Sequence, residues 1–401
     1  MTVNVHALKV LLIHNHYGGF SGESSVLEAH EILLKRNGHD VRRFTRSSDE
    51  LKHMQFGMVR AFFAALYNPY SNRAVSALLK EFQPDLVHIH NLYPLLSPSV
   101  LPVIAKAGVP VVMTVHNYRL ICPNGLFYNR EGICERCKGG KEWNCFLHNC
   151  EQSIPKSLGY ALRNIWARLS GYYSEHVNAF LCLTQFQKRK LVENGFPAAR
   201  CYILPNFTEQ SRQESDTDDI PFAQRKGFLF IGRLNRQKGI DVLLKTAMQC
   251  PDLLFILAGS SDPSFADPDS FPSNVRWLGV IGEEEKLRVL RHACALVFTS
   301  RSYEGFPMVF LEAMQAGLPV VAPNLAGYPE IIRDGENGWL FRPEDSGNLA
   351  EILQSIQENP GLAEKFGNNA RNILREEYSS EVWYNKYIDL ANLLLQNRKR
   401  M

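Results

Sequence analysis

At 401 residues, with 45% hydrophobic and 21% charged residues, the chain is long enough for two or three domains with their own cores, which excludes a single small module and a disordered polymer. No run approaches the ~18 uncharged apolar residues of a membrane-crossing helix, and the N-terminus leads straight into a strand pattern, so a cytoplasmic protein, at most peripheral to a membrane, is expected. The formal net charge of +3 hides an asymmetry, because residues 1–205 hold 23 Lys and Arg against 14 Asp and Glu and the remainder 21 against 27, so the first half suits an anionic partner such as a phospholipid surface, a phosphorylated acceptor or nucleic acid, with a solvated basic face as the plain alternative.

In chain order, residues 8–13 are apolar apart from Lys9 and read as a strand, followed by Gly18-Gly19. Apolar residues at helical spacing then run from Glu23 to Asn37, closed by Gly38 as a C-cap. Residues 85–90 (DLVHIH), 109–115 (VPVVMTV) and 179–184 are further strands, with a helical stretch at Val100–Lys106. A polar, acidic stretch at 209–219 reads as a linker, and the plan then repeats. Strands are expected at Phe228–Ile231, 253–258, 275–278, 295–298 and 320–322, and helices at Ile240–Gln249, Glu283–His292 and 307–316. The last helix, 380–397, carries Val382, Trp383, Tyr387, Leu390 and Leu394 on one stripe and needs a surface to dock on. Strands alternating with helices imply α/β architecture, two Rossmann-like, doubly wound parallel-sheet domains facing across a cleft. The expected domains are 1–208, with a cysteine-rich insertion at 122–150 and helix 380–401 docking back on it, and 209–379. Such sheets bind ligands outside the carboxyl ends of their strands.

Two loops at those ends carry chemistry. After the strand Phe228–Ile231 comes Gly232-Arg233-Leu234-Asn235-Arg236-Gln237-Lys238-Gly239, where Arg233 and Lys238 are placed to clamp a diphosphate, one as a fork of donors and the other as a point charge. The strand at 295–298 leads into Tyr303-Glu304-Gly305-Phe306-Pro307 and a helix containing Glu312. The N–H groups of its first turn can hold an anion, and the two carboxylates can accept hydrogen bonds from hydroxyls. A solvated basic loop and a solvated glutamate are the plain alternatives. Gly18-Gly19-Phe20-Ser21-Gly22-Glu23 does not fit the dinucleotide-binding Gly-x-Gly-x-x-Gly spacing, which disfavours a dehydrogenase.

Of nine cysteines, five lie within residues 122–150: Cys122, Cys134, Cys137, Cys145 and Cys150, with His148 among them. Cys134-Glu-Arg-Cys137 can form one corner of a tetrahedral zinc site, and cytosolic thiols stay reduced, so a structural zinc is expected rather than disulfides. Five thiols for four positions leave the ligand set open, with Cys145 or His148 as substitutes. Residues 54–70 place Phe56, Met58, Phe62, Phe63, Leu66 and Tyr67 near Arg60, and residues 154–173 mix Leu158, Tyr160, Leu162, Ile165, Trp166 and Leu169 with Lys156, Arg163 and Arg168. Core packing is the ordinary reading of such stripes; helices lying on an anionic membrane are the other.

Gly232-Arg233 with Lys238-Gly239, then Glu304-Gly305-Phe306-Pro307 through Glu312-Ala313-Met314, Gly317-Leu318-Pro319-Val320, Gly327 with Glu330 (AGYPE) and residues 335–340 (GENGWL) resemble the donor-site signature of glycosyltransferase family 4. The resemblance covers nearly all of the second half and extends to the first glycine loop. It implies a GT-B fold and retaining, hexosyltransferase-type transfer from a nucleotide-diphosphate sugar to a lipid-linked or saccharide acceptor, as in bacterial polysaccharide biosynthesis. It further implies no catalytic metal and no nucleic acid partner. On this chain it assigns Arg233 and Lys238 to the diphosphate, Glu304 to donor-sugar hydroxyls and Glu312 to the ribose. Gly305, Phe306 and Pro307 complete the donor loop, Gly18 and Gly19 approach the phosphates, and His116 lies against the reacting sugar. The departing phosphate oxygen deprotonates the acceptor, so no protein base is named. A similar cysteine segment in some bacterial polysaccharide transferases favours Cys122, Cys134, Cys137 and Cys150 as the metal set. His14, His16, His88 and His90 are expected to be packing or hydrogen-bonded residues. A sugar-nucleotide epimerase and a non-catalytic sugar-nucleotide-binding protein are the rival readings.

Overall fold

Apolar strand runs flanked by helical periods give two six-stranded sheets in which all neighbours pair in parallel. The computed structural model describes residues 7–17, 22–53, 57–209, 220–262 and 267–400. The chain clusters into one unit of residues 1–130, 134–206 and 380–401 and another of residues 131–133 and 207–379. The expected linker lies, from residue 210 to 219, outside the described residues, as do Gly18 and Gly19.

The strands of the first unit's sheet are β1 (Lys9–His16), β2 (Asp40–Ser47), β3 (Leu86–Asn91), β4 (Val111–Val115), β7 (Ala179–Cys182) and β8 (Cys201–Ile203), in the order β2-β1-β3-β4-β7-β8. Two short strands, β5 (Tyr128–Asn129) and β6 (Gly132–Ile133), fall in the cysteine-rich stretch of sequence. The unit's helices are α1 (Gly22–Arg36), α2 (Gly57–Leu66), α3 (Pro69–Phe82), α4 (Val100–Lys106), α5 (Asn144–Leu147), α6 (Ile154–Leu169), α7 (Tyr172–His176) and α8 (Gln185–Glu193). Gly38 ends α1 as expected, in a left-handed conformation with φ 84°, its N–H donating to the Lys35 carbonyl while His39 N–H returns to Leu34. β3 and β4 are buried along their whole length, which is why they read as apolar runs, whereas β2 exposes Arg42 and Arg43 at the sheet edge and carried too little apolar signal to be picked out.

The second unit's sheet has the order β11-β10-β9-β12-β13-β14, from β9 (Phe228–Ile231), β10 (Phe255–Ala258), β11 (Val275–Trp277), β12 (Ala295–Val297), β13 (Val320–Pro323) and β14 (Gly338–Phe341). Its helices are α9 (Ile240–Gln249), α10 (Glu283–His292), α11 (Met308–Gln315), α12 (Ser346–Glu358) and α13 (Pro360–Glu377). Phe228, Phe230, Phe255, Leu257 and Val297 meet Leu349 and Leu353 in its core. Pro307 is the cap of α11 rather than its first residue, with φ −71° and ψ 107°. The strand order reverses between β9 and β12, and that switch point is where an open parallel sheet leaves a crevice at its carboxyl ends. The remaining helix, α14 (Ser380–Arg400), belongs to the first unit and buries Trp383, Tyr387, Ile388 and Leu390, the docking its stripe called for.

Candidate functional site

The loops after β9 and β12 are held together by backbone. Asn235 caps the turn by accepting from Lys238 N–H at 3.0 Å, and the Thr299 hydroxyl donates to the Lys238 carbonyl at 2.8 Å. Gly239 has φ 68°, and a Cβ there would lie 2.0 Å from the Thr299 carbonyl oxygen, so only glycine permits this approach. Gln237 donates to Ser302 Oγ at 3.0 Å, and its carbonyl accepts from Arg301 N–H at 2.9 Å. Arg301 in turn grips Asp241 with two bonds of 2.7 and 2.8 Å.

On this frame the structure brings Lys238 and Glu304 into an ion pair of 2.6 Å, both only partly exposed. Lys238 also stands over the Phe298 ring at 5.5 Å. Arg233, in the same loop, is exposed and has no side-chain partner among the described residues. Tyr328, fully buried, donates its hydroxyl to the Ser302 carbonyl at 2.6 Å and accepts from Glu304 N–H at 3.3 Å, which fixes the turn carrying Glu304. Gly305, Phe306 and Pro307 follow in that turn, with Phe306 buried against Tyr378. Glu312, one face along α11, pairs with Lys286 of α10 at 3.1 Å rather than lying free in solvent. Burial works against the Lys286 charge, but Glu312 and Glu283 outweigh it and hold its pKa above the ordinary lysine value. The arrangement presents one open guanidinium, one lysine shared with a carboxylate, and two carboxylates with lone pairs to spare, all at the switch point.

In the first unit, His116 follows β4 and its Nε2 is 2.9 Å from His90 Nδ1. Burial holds its pKa below the ordinary histidine value despite the opposing pull of Glu23. Asn117 donates to Glu23 at 2.8 Å, and Arg119 bonds to the Tyr17 phenol. His16 meets Ser24 at 3.0 Å and His88 meets Thr114 at 2.8 Å, as hydrogen-bonded histidines were expected to do, whereas His14 has no hydrogen-bond partner among the described residues.

The cysteines of residues 122–150 are neighbours, and no disulfide joins them. Cys137, Cys145 and Ala161 form a small buried cluster against Cys150. Burial pushes the Cys122 thiol up to about 11, and Cys137 is raised by burial and then by Cys122, Cys150 and Cys134. Cys145 and Cys150 share a hydrogen bond that raises the first and lowers the second.

Residues 23–212 match the family model described as Glycosyltransferase Family 4, and residues 212–373 match that of Glycosyl transferases group 1. The chain belongs to glycosyltransferase family 4. Its two doubly wound parallel sheets are those of the GT-B fold expected from the sequence. The phosphatidyl-myo-inositol mannosyltransferase of Mycobacterium leprae is 33% identical over 148 residues, 35% of this chain and 40% of that protein, so the chain matches less than half the length of that relative. Anabaena HepE, solved in complex with UDP and glucose, superposes with a TM-score of 0.63 at 18% identity over 96% of this chain and 99% of that one. The sucrose-phosphate synthase of Thermosynechococcus elongatus gives 0.70 at 18%, over 97% and 100%. At such identities the two structures are alike in fold.

Sequence reasoning missed Lys286 and Tyr328. Lys286 sits in a run of charges, Glu283 to Lys286, that reads as a solvated helix face, and only tertiary packing turns it to Glu312. Tyr328 stands inside AGYPE, whose Gly327 and Glu330 drew attention instead; a tyrosine between glycine and proline was the available signal.

Proposed function

We propose that this family 4 chain is a retaining hexosyltransferase that moves a sugar from a nucleoside diphosphate sugar to a saccharide or lipid-linked acceptor. The observation that carries this reading is the Lys238–Glu304 pair beside the open Arg233 at the β9–β12 switch point. A diphosphate brings charge that Arg233 takes by a fork and Lys238 as a point charge, while Glu304 remains to accept from sugar hydroxyls. The N-terminus of α11 adds its dipole to the leaving group. Glu312, anchored through one oxygen by Lys286, keeps lone pairs for the ribose hydroxyls. His116 is assigned to orient a substrate hydroxyl, and Gly18 and Gly19 to the phosphates.

In the reaction, the bond from the anomeric carbon to the diphosphate oxygen breaks and a bond from that carbon to the acceptor oxygen forms on the same face. The acceptor proton passes to the departing phosphate oxygen, so the protein supplies charge and position rather than a base. A structural zinc on Cys122, Cys134, Cys137 and Cys150, or with Cys145 in place of one, would staple the segment they lie in, without a part in transfer. The expected domain division, 1–208 with 380–401 against 209–379, gives the acceptor to the first unit and the donor to the second.

Among the described residues no helix is long and apolar enough to cross a membrane. A lipid-linked acceptor on the cytoplasmic face is instead supported by α6, which exposes Ile154, Leu158, Leu162, Trp166 and Leu169 beside Lys156 and Arg168.

A thermal-shift screen of nucleotide sugars on wild type and Glu304→Ala tests the donor reading, because a ligand of the folded state raises its melting temperature. A sugar-dependent rise beyond that of the bare nucleotide, weakened in the variant, is expected. In an assay with the matching acceptor, Lys238→Ala is expected to lose about 10²–10³-fold in rate. Release of nucleoside diphosphate that needs an acceptor separates transfer from epimerisation and from mere binding. Folded protein that answers to no nucleotide sugar would overturn the proposal.

A further inference from the structure

The core of the first unit holds an unusual concentration of imidazole. His88 and His90 are alternate residues of β3, so both project from one face of the sheet, their rings stacked 4.5 Å apart. His30 comes down on that face from α1, with its ring 5.5 Å from His88 and 5.1 Å from His90. All three are at most 2% exposed. One ring nitrogen from each lies within 4.8 Å of one from each of the others.

The hydrogen bonding divides each strand histidine into an anchored nitrogen and an open one. His88 Nε2 is held by Thr114 Oγ1 at 2.8 Å and His90 Nδ1 by His116 Nε2 at 2.9 Å. His88 Nδ1 and His90 Nε2, both buried, have no partner among the described residues. A buried polar atom left without a partner is destabilising, and here two sit in one small volume next to a third imidazole. An imidazole that offers one nitrogen to a cation while a partner holds the other is the usual form of a histidine metal ligand.

We infer that His30, His88 and His90 form a three-histidine site for a divalent first-row metal ion of the zinc class. Neutral imidazoles suit zinc, cobalt, nickel and copper and suit calcium or magnesium poorly. Ligand bonds of ~2.0–2.1 Å require the three nitrogens to draw inward by roughly 1 Å, within the reach of small ring rotations. His14 makes a T-shaped contact with His90 at 6.2 Å and has no hydrogen-bond partner for either nitrogen among the described residues, but its nitrogens lie outside the group of three. The site has a consequence one residue further on. With its Nε2 on a metal, His90 carries its proton on Nδ1 and donates to His116 Nε2, which fixes His116 as the Nδ1–H tautomer.

This site is separate from the cysteines, which the experiment must show. Untagged full-length Cys134→Ser/Cys137→Ser protein is loaded with Co²⁺. The expected result is one equivalent bound, visible ligand-field absorption without a thiolate-to-cobalt charge-transfer band, and a raised melting temperature, all lost when His88→Gln is added. Zinc-edge X-ray absorption on the unmutated protein asks the same question without depending on whether a variant folds, and, averaged over this site and any zinc on the cysteines, more imidazole per zinc than His148 alone can supply is expected. Folded protein that takes up no metal, or whose zinc shows only sulfur or sulfur with the single imidazole His148 can offer, overturns the inference.

Discussion

Helices α6 and α14 have the same kind of sequence, a stripe of large apolar residues flanked by cations, and they meet opposite fates. In α14 the stripe is docked: Trp383 is 3% exposed, its ring 4.1 Å from His30 and stacked on Tyr387 at 4.7 Å, while Tyr384 bonds His39 at 2.9 Å. In α6 the stripe faces outward, with Trp166 47% and Leu169 70% exposed. What α6 buries is its other face, Ser157, Ala161, Arg163, Asn164 and Ala167. Periodicity says that a helix has two faces; the size of the residues on the second face decides which one is inside. Serine and alanine let α6 approach its support closely, and a Cβ at Gly159 would meet Phe62 at 3.3 Å. Opposite the aromatic stripe of α14 stand Glu381, Asn385, Asp389 and Asn392 rather than serine and alanine.

The largest effect is expected where α14 is seated. Trp383→Ala removes the ring that covers the imidazole core and should cost about 3–5 kcal/mol, read as a lower urea midpoint with little change in slope. A loss under about 1 kcal/mol would mean that α14 only rests on the first unit. Next comes the inward face of α6. Arg163 donates to the Pro123 carbonyl at 2.7 Å and lies over Tyr93 at 4.1 Å and Tyr160 at 4.3 Å, 4% exposed. Arg163→Ala strips a charged donor from that carbonyl and should cost about 2–3 kcal/mol. Wild-type stability would place the helix the other way round.

A smaller change sharpens the contrast by its sign. The Tyr387 hydroxyl is buried without a hydrogen-bond partner among the described residues. Tyr387→Phe keeps the stacking and removes an unmet polar group, so stability should hold or rise by up to about 1 kcal/mol. A clear loss would show that the hydroxyl is bonded, and chemical denaturation of the pair of proteins decides it.

These helices also mark how far sequence carries. The strand and helix alternation, the cap at Gly38, the family and the docking of α14 were legible, because each rests on a local period or a residue type with one backbone use. Arg233, Lys238, Glu304 and Glu312 were legible as a set at strand ends. The meeting of Lys238 with Glu304 was not, because it joins residues 66 apart through the Gly239–Thr299 approach. The imidazole core was half-visible: His88 and His90 alternate on a strand, but His30 reads as one more polar residue of α1, and only folding brings it onto that face.

The exposed stripe itself gives the smallest stability effect and a distinct functional one. Trp166→Ser removes a half-exposed indole, so the midpoint should move by under about 0.5 kcal/mol, as for most surface substitutions. An apolar row left in water by a helix whose small face is inside needs a partner, and Lys156 next to it favours an anionic one, Arg168 being paired with Glu142. Tryptophan is suited to the headgroup region, so sedimentation with phosphatidylglycerol-rich vesicles at low salt should bring down the wild type and lose most of Trp166→Ser. Equal binding of the two would separate the stripe from the membrane. Binding by neither, in folded protein, would leave α6 as a face for some other apolar surface and remove the support it lends to a lipid-linked acceptor.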